Sequence, residues 1–166
     1  LLEKSKLHFE AIAFDQISDD DYMPALDVAI EAAKDRVASI AAEQNSPTFE
    51  NTIEALESAD EQVDHVATVF FNLQHAHTNE KMQSLAKEIA PKLSALTNDI
   101  YLDEALFQRV EAVYKQMDDL NLPVEGKCLL DKTYKSFIRN GALLDAGHKE
   151  EQRKIDARLS VLTEQF

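Results

Sequence analysis

The 166-residue chain has little of what interrupts regular structure: three glycines, four prolines and no tryptophan. So few turn formers predict few turns and therefore long helices. The single cysteine, Cys128, excludes an intrachain disulfide. That suits a reducing compartment, so the cytoplasm is the expected location, with the periplasm as the alternative if a leader once preceded Leu1. Positive charge is scarce, with 17 basic residues against 31 acidic ones and a net charge of −14. Such a surface repels phosphate backbones and anionic lipid, which argues against nucleic-acid and membrane partners. No apolar run approaches a membrane span. The opening LLEKSK is too polar for a signal peptide. A chain of this length can bury roughly 70% of its unfolded surface and needs neither disulfide nor metal to fold.

What is present is helical periodicity. Residues 1–18 read as an irregular arm with scattered anchors Phe9, Ile12, Phe14 and Ile17. Ser18 ahead of Asp19, Asp20 and Asp21 marks a helix start, with a capping hydroxyl and carboxylates at the positive end of the dipole. Pro24 is tolerated in a first turn. Leu26, Ile30, Ala33, Val37 and Ile40 then form one stripe on a helix predicted over 22–44. Thr48 is the candidate cap of a second helix, predicted over 49–76 and among the longest. Its stripe is Phe49, Ile53, Leu56, Val63, Ala67, Phe70 and Leu73, with Asp60 as the one polar intruder. Met82, Leu85, Ile89, Leu93, Leu96 and Ile100 mark a third over 79–100, where Pro91 should introduce a kink.

Asp103 caps a fourth, with Leu106, Val110, Val113 and Met117. The fifth carries Leu130, Tyr134, Phe137 and Ile138, and closes on Asn140-Gly141, a left-handed end. Asp145 caps a sixth, still apolar at Leu159, Leu162 and Phe166. No alternating strand pattern or internal repeat is evident. The expected fold is a single all-α domain over 1–166, an antiparallel bundle of about six helices joined by short connections. Leu1 in place of methionine, and the absence of a stop signal after the last stripe, predict a piece of a longer chain.

The residues with metal or catalytic potential fall short of a site. FFNLQHAHTNE at 70–80 sets His75 and His77 two apart, about 200° around a helix, so their rings diverge. Helical zinc ligands want a spacing of three or four. Thr78 or Asn79 reads as a cap, placing both histidines at a helix junction on the solvated side. His77 with Glu80 would hold a metal only weakly, without a third ligand in reach. His8 lies in the arm, His65 on a polar helix face and His148 in a charged first turn. Cys128, with Lys127 as its only basic neighbour, reads as a half-buried structural thiol. No nucleophile elbow, P-loop or dinucleotide fingerprint occurs. No catalytic, cofactor-binding or metal-ligating residue is therefore assigned.

Several segments in order resemble the amino-terminal region of the thimet oligopeptidase family of zinc metallopeptidases, in particular its peptidyl-dipeptidase branch. They are FDQISDDDYMPALDVAI (14–30), PTFENTIEALE (47–57), VFFNLQHAHTNEKMQ (69–83), APKLSALTNDIYLDEALFQRV (90–110) and LSVLTEQF (159–166). The resemblance implies an almost wholly helical fold split by a channel. It implies zinc on an H-E-x-x-H helix whose glutamate activates the metal-bound water. Those residues lie beyond this sequence, so none carries over to a position here. It further implies a monomer whose substrates are short unfolded peptides, with this region as a non-catalytic wall of the channel. An endo-acting oligopeptidase of the family, and a stand-alone acidic interaction module, are the alternatives.

Overall fold

A computed structural model describes residues 1–3 and 5–164, and no strand occurs among them. The apolar stripes become α1 (Tyr22–Ala41), α2 (Ala55–Glu57), α3 (Glu61–Ala76), α4 (Glu80–Tyr101), α5 (Glu104–Tyr114), α6 (Val124–Arg139) and α7 (Ala146–Thr163). A π-helical segment, Phe49–Glu54, leads directly into α2. Three single 3₁₀ turns, ending with Asp19–Asp21, make up the arm. The chain is all-α, as the periodicity implies.

The caps fall where small polar side chains can reach a free N–H. Thr48, Asn79, Asp103 and Asp145 each accept from the backbone three residues on. Of the two candidates at the α3–α4 turn, Asn79 is the cap. At the α6 end, Gly141 has φ 92°, where a side chain would be strained and a Cβ would sit 2.8 Å from Leu144 Cδ1. The acidic run before α1 divides its work. Asp21 accepts from Ser18 N and Oγ at 2.7 and 2.8 Å. Asp19 instead accepts from Asn79 Nδ2 at 3.0 Å, and Asp20 pairs with Lys81 at 2.5 Å. These two contacts tie the start of α1 to the start of α4.

Two expectations need correction. The helix over 22–44 stops at Ala41, and residues 43–48 form an irregular loop. The helix over 49–76 is not continuous and not among the longest, because the chain breaks at 58–60. Ser58 turns its hydroxyl back onto the carbonyls of Glu54 and Ala55. The Arg36 guanidinium then takes the carbonyl of Ala59 at 3.1 Å. The break lets Ala59 drop fully into the core. The last stripe is not a buried one. Within α7 no described residue is buried, and Ile155 and Leu159 are more than half exposed; Phe166 lies outside the described residues. The 22-residue α4 runs on through Pro91.

The core runs from Leu26 and Ile30 through Phe70, Met82 and Ile89 to Val110 and Phe137. Helix α7 is held against α4 largely by polar contacts. Arg153 reaches Asp99 at 2.7 Å, and Lys149 donates to the Leu102 carbonyl at 3.0 Å.

One buried polar group organises the α1–α2 corner. Arg109 of α5 is only 7% exposed. Its Nη1 donates to the carbonyls of Glu43 and Asn45 at 2.8 and 3.2 Å. Its Nη2 donates to Asn51 Oδ1 and Thr52 Oγ1 at 3.1 and 3.3 Å. Four acceptors, two on the irregular loop and two on the π-helical segment, thus share one guanidinium. Truncation would strand them in a water-poor site, where hydrogen bonds to charged groups count most. We expect Arg109→Ala to lower unfolding free energy by roughly 2–4 kcal/mol in urea titration. Lys81→Ala, which removes an exposed ion pair, should cost about 1 kcal/mol or less. Equal losses would show that Arg109 is no more than a surface contact.

Candidate functional site

The break at 58–60 has a second consequence. By ending α2 and restarting as α3, the chain opens an apolar seam between these helices, α4 and α6. The result is a groove of about 990 Å³. Leu56, Val63, Leu93, Leu96, Ile100 and Leu129 make its apolar lining. Val124, at the start of α6, stands 81% exposed beside it. Gly126, two residues on, packs under Phe49, where a Cβ would meet the ring at 3.4 Å. That contact seats the first turn of α6 against the π-helical segment.

Electrostatically the groove is lopsided. Glu57, Asp60 and Asp64 line it from the α2–α3 side, while Lys132 is the only cation among its lining residues. Asp60 is half-buried, and its side chain caps no N–H of the first turn of α3. Burial, then repulsion from Asp64, holds its carboxyl above the ordinary aspartate range. Across the groove, burial and the Asp60 charge raise the Tyr101 phenol, while a hydrogen bond with Ser136 pulls it the other way. The arrangement suits binding. It pairs an apolar trough with one half-buried carboxylate, Asp60, flanked by the exposed Glu57 and Asp64.

Cys128 lies on this groove and is exposed, not half-buried as its sequence context suggested. The reason is register. The buried positions of α6 are Gly126, Leu130 and Phe137, and Cys128 falls between them on the helix surface.

The histidines do not converge. His75 and His77 are exposed at the end of α3, where His77 is the first residue past the helix. The Nδ1–H of His75 donates to the Phe71 carbonyl at 2.6 Å, so that ring serves its own helix end. Glu80 opens α4, exposed. His8 and His65 are also exposed. His148 donates from Nδ1 to Asp145 Oδ2 at 2.6 Å, and this contact raises its pKa. Among the described residues, no group of three or more His, Cys, Asp or Glu side chains could hold a metal ion. The stretch 70–80 is thus a helix junction.

Two residues were missed as functional or organising groups. Asp60 carried a usable signal, as the lone polar side chain in an apolar stripe. Arg109 carried none, because its partners lie 57 to 66 residues away in sequence.

No family model matches the chain. Individual proteins do. The dipeptidyl carboxypeptidase of Escherichia coli K12 is 36% identical over 165 residues, covering 99% of this chain. The dipeptidyl carboxypeptidase of Salmonella typhimurium is 36% identical over 166 residues, the whole chain. The chain is a homologue of the dipeptidyl carboxypeptidases. It spans 24% of the length of each of these two curated relatives. A thimet-like oligopeptidase of Dictyostelium discoideum is 28% identical over 116 residues, covering 68% of this chain and 17% of its own length. The family resemblance read from the ordered motifs is therefore upheld. No described helix of this homologue is long and apolar enough to cross a membrane.

The raised Asp60 carboxyl fixes the sign of a pH effect. An acid whose folded pKa is raised destabilises the fold when ionised. The cost is absent where both states are protonated, well below the ordinary aspartate pKa of roughly 4. It grows as pH rises through the ordinary aspartate pKa and is complete above the folded value. Asp60→Asn should therefore raise the melting temperature at pH 7 by about 1–3 °C, a modest figure because the group is half-exposed. The gain should be mostly lost near pH 3.5. A gain that persists unchanged at low pH would mean that the carboxylate charge is not the cause.

Proposed function

We propose that this chain is a non-catalytic helical region of a zinc metallopeptidase that releases dipeptides from the C-terminus of short peptides, and that it forms part of the wall of the substrate channel. The observation that carries this reading is the 36% identity to two dipeptidyl carboxypeptidases across essentially the whole chain. The weaker identity and shorter match to the oligopeptidase make an endo-acting enzyme the second reading.

The residues described here do not fit zinc. His75 and His77 diverge, the other histidines are scattered, and the four groove carboxylates, Glu57, Asp60, Asp64 and Glu125, have no histidine among the lining residues. On this reading the metal, and the glutamate that activates its water, belong to a downstream H-E-x-x-H helix. This region acts by shape and charge. Its net charge of −14 would bias which peptides approach. Recognition of a free C-terminal carboxylate calls for a cationic or polar group; on this reading that group too lies outside this acidic region. The proposed protein is monomeric, with short peptides as its partners.

The test uses the full gene product that carries this region. It is offered an N-blocked tetrapeptide with a free C-terminus and the same peptide amidated. Release of a dipeptide from the acid, with at least roughly a hundredfold less from the amide, is the expected result. Internal cleavage of both at similar rates would move the assignment to the oligopeptidase. A zinc-loaded product that cleaves neither peptide would remove the peptidase reading.

A further inference from the structure

We propose that the groove between α3, α4 and α6 is a docking site for a short peptide segment that carries a lysine or arginine beside apolar residues. The inference goes beyond the channel-wall reading, since the groove would bind such a segment whether or not chemistry follows.

Size comes first. At about 990 Å³ the groove lies at the upper end of the range for ligand sites, roughly 300–1,000 Å³. Its aliphatic lining could take apolar side chains from an inserted segment. Thr97, Thr133 and Ser136 stand among them as polar groups for a peptide backbone.

Charge then selects the occupant. The chain is poor in cations, yet three carboxylates elsewhere have a cationic partner on another helix. Asp20 has Lys81, Asp27 has Lys92, and Asp99 has both Lys34 and Arg153. Glu57, Asp60 and Asp64 line one side of the groove together, and among the described residues none of the three has an ion pair. Helix capping does not account for Asp60, whose side chain accepts no first-turn N–H. An arriving ammonium or guanidinium would supply the missing counter-charge where water is already partly excluded, and there it acts more strongly than at an open surface. An acidic occupant would meet four carboxylates, Glu125 on the α6 side included, against Lys132 alone. A purely apolar one would leave Asp60 desolvated and unmatched.

The experiment titrates the chain with acetyl-Leu-Lys-Leu-amide and with its glutamate and norleucine counterparts, by calorimetry and by amide chemical shifts. The lysine peptide should bind at least roughly fivefold more tightly than either counterpart, with shifts centred on Val63, Leu96 and Leu129. The double variant Asp60→Asn, Asp64→Asn should lose roughly fivefold for the lysine peptide alone. Circular dichroism and melting confirm that the variant is folded. Equal affinity for the three peptides, or shifts elsewhere, would overturn the proposal. Octylammonium binding as tightly as the lysine peptide would overturn the peptide part. Concentration-dependent dimerisation that protects Cys128 from a thiol reagent would assign the groove to a second copy instead. Binding to this chain but not to the full gene product would assign it to an intrachain cover. The tetrapeptide assay is independent of these titrations, so failure there leaves the groove standing, and failure here leaves the peptidase reading standing.

Discussion

The guanidinium of Arg109 is the contact on which the α1–α2 corner depends. The segment between Ala41 and Phe49 has no helix of its own to satisfy its carbonyls, and two of them, Glu43 and Asn45, point to Arg109. The same group holds Asn51 and Thr52. Asn51 is itself the partner of Thr48 in a reciprocal cap: its Oδ1 accepts from Thr48 N at 2.8 Å, its N–H donates to Thr48 Oγ1 at 3.1 Å, and its Nδ2 donates to the Ser46 carbonyl at 3.0 Å. The start of the π-helical segment and the loop before it are therefore locked to α5 through one side chain. Arginine suits this position because its fixed fork serves several acceptors at once; lysine, a point charge on a flexible stem, would reach fewer.

From that corner the remaining geometry follows. With Phe49 fixed, Gly126 can pack beneath its ring, and α6 is placed. With the π-helical segment and α2 fixed, the chain must turn at 58–60 to bring Val63 and Phe70 into the core on α3. The turn is stabilised from three directions: the Ser58 hydroxyl on the preceding carbonyls, Arg36 on Ala59, and burial of Ala59 itself. Each is modest alone. Together they outweigh the helix hydrogen bonds given up there.

Local signals were legible and distant ones were not. Four caps, the glycine ending α6 and most stripe positions follow from residues within one or two turns of each other, where spacing decides the outcome. The break at 58–60 was hidden because the apolar spacing carries across it. Leu56 and Val63 are seven apart, two helical turns, so periodicity alone predicts continuity. What breaks the helix is partly a carbonyl taken by Arg36, 23 residues earlier. Arg109 was invisible for the same reason at greater range. For α7 the stripe was present but its burial was not. Polar contacts to Asp99 and Leu102 hold that helix while Ile155 and Leu159 stay exposed.

The candidate site was read least well, and the cause is again the break. A continuous helix over 49–76 would leave Asp60 as an anomaly inside an apolar face, costly and without purpose. The interrupted helix sets Asp60 at the head of α3, on the wall of a groove that the interruption itself creates. There the carboxylate is only half-buried, and burial, then repulsion from Asp64, raises its pKa. The histidine-rich junction, the most conspicuous stretch of the sequence, serves helix ends. The less conspicuous polar intruder marks the groove. A pattern of residue types shows which chemistry is affordable locally; only the placement of the break shows where the desolvated charge and the apolar trough coincide.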